Sequence, residues 1–226
     1  NLTLTSGMTV AGTANAYNVA IKGASNTIAG ATTFGNTGTL VLGDGAADSL
    51  TFTGGVVATA SSSRSIAGTI AAAGTGVITL GASNVTANTT IGGSSTGQIT
   101  AGNATLADGV TLTAGAGAAT PISLAAITGT AGGTSSNATI NTTGAVTVSG
   151  AVGTDIGTLT ITNSGGTAFS STINAATLAI TDTAASQLID FQGNLTLTSG
   201  MTVAGTANAY NVAIQGASNT LAGATT

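Results

Sequence analysis

The chain has 226 residues, of which only eight are charged, whereas an ordinary soluble domain is about a quarter charged. Two isolated cations, Lys22 and Arg64, within a net charge of −4 exclude the clustered basic footprint of a nucleic-acid binder or of a protein held on anionic lipid. A hydrophobic content of 42% excludes a disordered chain.

Residues Asn1 to Thr33 return almost unchanged as Asn194 to Thr226, with Lys22 replaced by Gln215 and Ile28 by Leu221. The offset of 193 residues predicts one full repeat, 1–193, continuous without a linker with the opening of a second, 194–226. Such a chain is expected to be a window onto a longer tandem array.

Short runs of alternating apolar and polar residues follow one another: Leu2 to Thr5, Thr39 to Leu42, Leu50 to Thr53, Val77 to Leu80, Val110 to Thr113, Val146 to Ser149, Thr158 to Thr162 and Thr177 to Ile180. Period-two alternation rich in Val, Ile, Leu and Thr predicts strands. Turn formers separate them, including Gly43-Asp44-Gly45, Gly54-Gly55, Gly92-Gly93, Asp108-Gly109, Gly132-Gly133 and Ser164-Gly165-Gly166. Ala71-Ala72-Ala73 is too short to sustain a helix. No stretch approaches the ~18 uninterrupted apolar residues of a membrane-spanning helix. The two tyrosines and four phenylalanines cannot build the aromatic girdles of a membrane barrel.

Two all-β architectures fit many short strands with tight corners. One is a pair of antiparallel β-sandwiches per repeat, each of ~100 residues. The other is a parallel β-helix, or β-solenoid, in which coil stacks upon coil. The solenoid is favoured by the absence of half-length self-similarity, by the small aromatic mass and by Gly and Asn at the bends. At ~20 residues per coil and ~4.8 Å between coils, a repeat would hold about nine or ten coils and add roughly 45 Å of length. The scarcity of charge agrees, because stacked like charges repel along a ladder.

No catalytic residue, cofactor-binding residue or metal ligand is assigned, and the chain is expected not to be an enzyme. Histidine, cysteine and glutamate are absent, so disulfides and thiolate metal sites are excluded. Lys22 is dispensable in the second copy, and Arg64 is the lone arginine. Asp44 and Asp48 raise a calcium site, which needs six to eight oxygens from several groups. Aspartate does not recur coil by coil, so Asp44 is expected to shape its glycine-flanked turn and Asp48 to open a strand. Asp108 and Asp155 read as turn residues, and Asp182 and Asp190 as solvent-facing.

The pairs Thr3/Thr5, Thr51/Thr53, Thr111/Thr113, Thr158/Thr160/Thr162 and Thr196/Thr198 could display hydroxyls on a flat face, as in ice-binding solenoids. Their steps of 48, 60, 47 and 38 residues skip coils, which favours plain strand propensity instead. Sequons at Asn1, Asn84, Asn88, Asn103, Asn137, Asn141 and Asn194 follow from so much Asn and Thr. Tyr17 and Tyr210 mark one packing position of the repeat, and Phe34, Phe52, Phe169 and Phe191 fill the core.

Gly193-Asn194-Leu195-Thr196-Leu197-Thr198-Ser199-Gly200 resembles the repeat units of filamentous-haemagglutinin-like exoproteins. The stretches Gly144 to Gly150 and Gly157 to Thr162 are similar units, and the whole chain resembles the repetitive stalks of giant bacterial surface proteins. The resemblance implies a right-handed parallel β-helix, an extracellular or cell-surface location, and a structural part as stalk, filament or matrix. The expected partners are neighbouring copies of the same repeat, end to end and side by side, with no nucleic acid, no membrane span and no cofactor. An adhesin that recognises a glycan or cell surface, and an ice-binding array, remain as alternatives.

Overall fold

The computed structural model describes residues 1–206 and 208–226. Its regular elements are short strands without a helix among the described residues, and they pair in parallel. The chain is therefore a parallel β-helix of about ten turns, not a pair of sandwiches.

Ten strands form one sheet, from Met8–Val10 to Asn211–Ile214. Along it Met8 pairs with Thr32, Thr32 with Val56, Val56 with Ile78 and Ile78 with Ile99. The same row continues through Ile122, Val146, Thr167 and Ile189 to Val212. These steps are 21 to 24 residues long, so a coil is longer than composition suggested. Irregular corners such as 11–18 consume the difference.

Seventeen strands form the other sheet, which bends into two faces. Four long strands make the bend: Ser63–Ala72, Ser83–Gly93, Ile173–Ile180 and Leu195–Val203. Ser83–Gly93, for example, pairs through its first part with Ala104–Leu106 and through its last with Thr111–Ala114. Gly68 lies where Ser63–Ala72 turns, at φ +72°, a conformation that glycine adopts without penalty. The ten-stranded sheet is the first face. The second face begins with Val19–Ile21, and the third with Thr3–Leu4. The chain visits third, first and second faces in turn, coil after coil.

Inward residues stack into apolar columns. On the third face Leu50, Ile70, Ile91 and Ala114 line up, followed by Ile140, Ile161 and Ile180, and all are buried. Full burial of each such isoleucine contributes about 1.5–3 kcal/mol. Phe34 meets Phe52 edge-on with centroids 6.2 Å apart, and Phe169 stacks on Phe191 at 5.1 Å. All four phenylalanines fill the core, as the sequence suggested.

One corner is polar inside. Ser95, Thr120, Thr142, Ser164 and Thr183 are all buried. The Ser95 hydroxyl donates to the Gly76 carbonyl at 2.6 Å, that of Thr120 to Ser95, and that of Thr142 to Thr120 at 2.6 Å. Ser164 and Thr183 bond each other at 2.8 Å. This spine satisfies backbone carbonyls that the corner takes out of the ladder.

The two copies of the repeated unit fold alike. Asn26 Oδ1 accepts Leu2 N–H at 2.8 Å, and Asn219 Oδ1 accepts Leu195 N–H at 2.9 Å. Tyr17 donates to the Ala11 carbonyl, as Tyr210 does to Ala204 at 2.8 Å.

Candidate functional site

The turn at Gly43–Asp48 closes differently from expectation. It is Asp48 whose Oδ2 accepts the backbone N–H of Asp44 at 2.7 Å and of Gly45 at 3.2 Å. These bonds, that from Asp44 first, hold the Asp48 carboxyl below its ordinary value. Asp44 points out instead and pairs with Lys22 at 2.9 Å, both side chains about half exposed. The hydrogen bond to Asp44 raises the Lys22 ammonium. Two carboxylates serving a turn and an ion pair supply no calcium cage, and no group of three acidic, histidine or cysteine ligands occurs among the described residues.

Asp182 is half-buried and not simply solvent-facing. Its Oδ1 accepts the Thr206 hydroxyl at 2.9 Å and the Thr183 N–H at 2.8 Å, and its Oδ2 accepts Asn208 Nδ2 at 3.2 Å. The Thr206 hydroxyl is the largest cause holding this carboxyl below its ordinary value. Asp190 is also half-buried and accepts Gln192 Nε2 at 2.9 Å. Asp155 sits at φ +57°, a turn position as predicted, and accepts the Ser135 hydroxyl at 2.7 Å.

Arg64 occupies an inward position and is only 2% exposed. Its Nη1 donates to the Ala82 carbonyl at 2.8 Å and its Nη2 to Ser61 Oγ at 2.7 Å, while Nε has no partner. Burial pushes the guanidinium below its ordinary value. Sequence reading gave no hint of this inward placement.

The outer surface carries one continuous feature. On the third face Thr69, Thr90, Thr113, Thr139 and Thr160 pair coil on coil, followed by Ala179 and Thr202. Their side chains form an outward row at about the 4.8 Å coil spacing. The row escaped sequence reading because its steps range from 19 to 26 residues between Thr69 and Thr202, so no fixed period announces it. Beside it lie Asn88, Thr111, Asn137 and Thr158. Asn88 Oδ1 accepts Thr111 N–H, and Asn137 Oδ1 accepts Thr158 N–H, both at 2.9 Å. A shallow trough of about 370 Å3, lined by Thr69, Asn88, Thr89, Thr90, Thr111 and Thr113, opens along the row.

These asparagines explain most of the sequons. Asn1, Asn103 and Asn194 likewise accept a backbone N–H one coil on, from Ser25, Ala126 and Ser218. Asparagine recurs here because a short amide can clasp the next coil where the backbone ladder is interrupted.

The arrangement offers hydroxyls, amides and strand edges. Comparison of the chain with protein-family models, with curated proteins and with solved structures finds no match.

Proposed function

We propose that the chain is part of a tandem rod whose function is extension: a structural repeat of an extracellular stalk, filament or matrix element on a bacterial surface. The observation that carries this reading is the pair of like-folded units at opposite ends of one uninterrupted helix of coils. The strand edges of one coil are paired by the next coil of the same kind, so copies of such a unit can follow one another without a gap. A surface almost free of charge leaves little to oppose side-by-side contact. Electron microscopy of polypeptides with increasing copy number tests the reading. Rod length is expected to grow by a constant increment per copy, and beads joined by gaps would overturn it.

A second reading rests on the threonine row of the third face. Five consecutive coils there align one outward file of threonines, an ordered row of hydroxyls and methyls of the kind that binding to ice would use, which the Thr-x-Thr spacings alone did not suggest. Thermal hysteresis that disappears in Thr113→Leu would favour this reading over a purely structural one.

A further inference from the structure

The repeated units fold alike, but they do not lie on the same side of the rod. Met8–Val10 belongs to the ten-stranded first face. The corresponding residues Met201, Thr202 and Val203 pair with Leu178, Ala179 and Ile180 on the third face. Thr3 and Leu4 open the third face, where they lead through Thr27 and Thr51 to Ala71. Their counterparts Thr196 and Leu197 pair with Asn174 and Ala175 on the second. Val19–Ile21 lies on the second face, whereas Val212, Ala213 and Ile214 lie on the first. Every counterpart is displaced by one face in the same sense.

On the third face nine steps lead from Thr3–Leu4 through Asn26–Ile28, Ser49–Phe52 and Ser63–Ala72 to the second half of Leu195–Val203. The counterpart of Thr3–Leu4 is the first half of that last strand, one face earlier. The period of 193 residues is therefore nine coils less one face, or eight and two-thirds coils, and about 42 Å of rod at ~4.8 Å per coil.

We propose that successive copies in the array are indexed by one third of a turn about the rod axis, so that a surface row returns to the same side only at every third copy. The proposal rests on the reading of the chain as part of a tandem array. It is permitted because the three faces are built alike, from short strands with an inward–outward–inward pattern, and because the one charged residue of the repeated unit, Lys22, is Gln215 in the second copy. The inward residues keep their direction, since Met8 and Met201 both point to the core beside outward Thr9 and Thr202. The local clasps are kept as well: Ser25 N–H bonds Asn1 Oδ1 at 3.1 Å and Ser218 N–H bonds Asn194 Oδ1 at 3.0 Å. The Thr69-to-Thr160 row of one copy would thus pass to the second face in the next copy and to the first in the copy after. A ligand or neighbouring rod would meet the same surface from every side.

The absence of cysteine makes site-specific labelling clean. In the 226-residue chain, pyrene at Ala179→Cys and Thr202→Cys is expected to give excimer emission, because these positions lie side by side on adjacent coils. Pyrene at Asp190→Cys and Thr202→Cys is expected to give none. Thr9→Cys with Thr33→Cys, side by side on the first face, is the positive control, and far-ultraviolet circular dichroism checks that each variant folds. Excimer emission from the Asp190/Thr202 pair and not from the Ala179/Thr202 pair would overturn the displacement.

A four-copy polypeptide carrying a small gold label at the Thr202 position of each copy tests the array itself. Electron micrographs are expected to show labels about 42 Å apart, pointing in three directions, with the fourth in line with the first. A single straight row of labels on a continuous rod would overturn the indexing alone. Separate particles would overturn the array and the indexing with it.

Discussion

Arg64 reaches one coil forward to donate from Nη1 to the carbonyl of Ala82 at 2.8 Å, with no carboxylate in ion-pair range among the described residues, where Lys22–Asp44 is the one pair. A buried cation that is only partly hydrogen-bonded is costly to desolvate. Arg64→Met, which keeps the volume and removes the charge, is expected to leave stability unchanged or to raise it. Arg64→Ala opens a cavity and is expected to lose about 2–4 kcal/mol. Gly81 makes room for the guanidinium, since a Cβ there would stand 2.7 Å from Nη1, so Gly81→Ala should also destabilise. Urea unfolding measures all three, and an equal loss in Arg64→Met and Arg64→Ala would contradict the argument.

Gly68 turns a strand from the second face to the third. A Cβ at this position would press on the Asp48 carbonyl and stand 2.9 Å from that of Gly45, at a φ of +72°. Gly68→Ala is expected to lose about 1–3 kcal/mol. Gly45→Ala serves as the contrast, because nothing lies within 4 Å of a Cβ there and its φ is not in the left-handed range. It should be neutral or slightly stabilising through the unfolded chain. Thermal melts of the pair separate corner strain from a general intolerance of side chains.

The hydroxyl spine makes a third expectation. Thr142 Oγ1 donates to the Thr120 carbonyl and accepts the Gly144 N–H at 2.9 Å. Thr142→Val preserves the shape and strands both partners, for a loss of about 1–3 kcal/mol. Thr142→Ser should retain most of the stability. Equal melting of the Val and Ser variants would show that the spine contributes shape alone.

The inward columns were legible in the sequence because alternation writes them directly: Thr39 to Leu42 became the strand Thr39–Leu42, with Leu40 and Leu42 in the core. The outward rows were not. Coil length varies at the corners, so Thr90, Thr113 and Thr139 line up in space without an even spacing in the chain. Arg64 was hidden for a related reason: a long polar side chain in an inward position looks outward in composition. Asp48 stands directly before the strand Ser49–Phe52, as its position suggested; that it also closes the turn in place of Asp44 was not legible, because turn chemistry depends on which carboxylate reaches back and both fit the same glycine-rich string. The displacement of the second copy needs the register of every intervening coil, which no local pattern supplies.

Asp48 and Asp182 are held below the ordinary carboxylate value of 3.8. Each therefore contributes stability that is present above that value and lost as the pH falls through the lower, folded one. Lys22 is raised above 10.5, so its contribution is present below 10.5 and lost as the pH rises past the folded value. Melting temperature is expected to be level near neutrality, to fall below about pH 4, and to dip only slightly in strong alkali, because an exposed pair is screened. Asp182→Asn should lower the plateau and flatten the acid limb. An acid limb unchanged in Asp182→Asn would remove this carboxylate from the account.

The ends decide how the chain behaves in solution. The coil containing Asn211–Ile214 and Thr220–Leu221 has a paired edge on one side and an open edge on the other, with Ile214 exposed. The first coil, at Thr3–Leu4 and Met8–Val10, is open on its opposite edge. Two such edges are complementary in hydrogen bonding and run in the same direction, so the 226-residue chain is expected to associate head to tail, with mass rising with concentration in analytical ultracentrifugation. Charge on an edge opposes strand addition. Ile214→Lys combined with Leu221→Lys should shift the population to monomer while leaving the circular dichroism of the remaining coils in place. Association undiminished in that variant would point to lateral contact between faces, and a wild-type chain monomeric at every concentration would rule out edge pairing as the means of assembly.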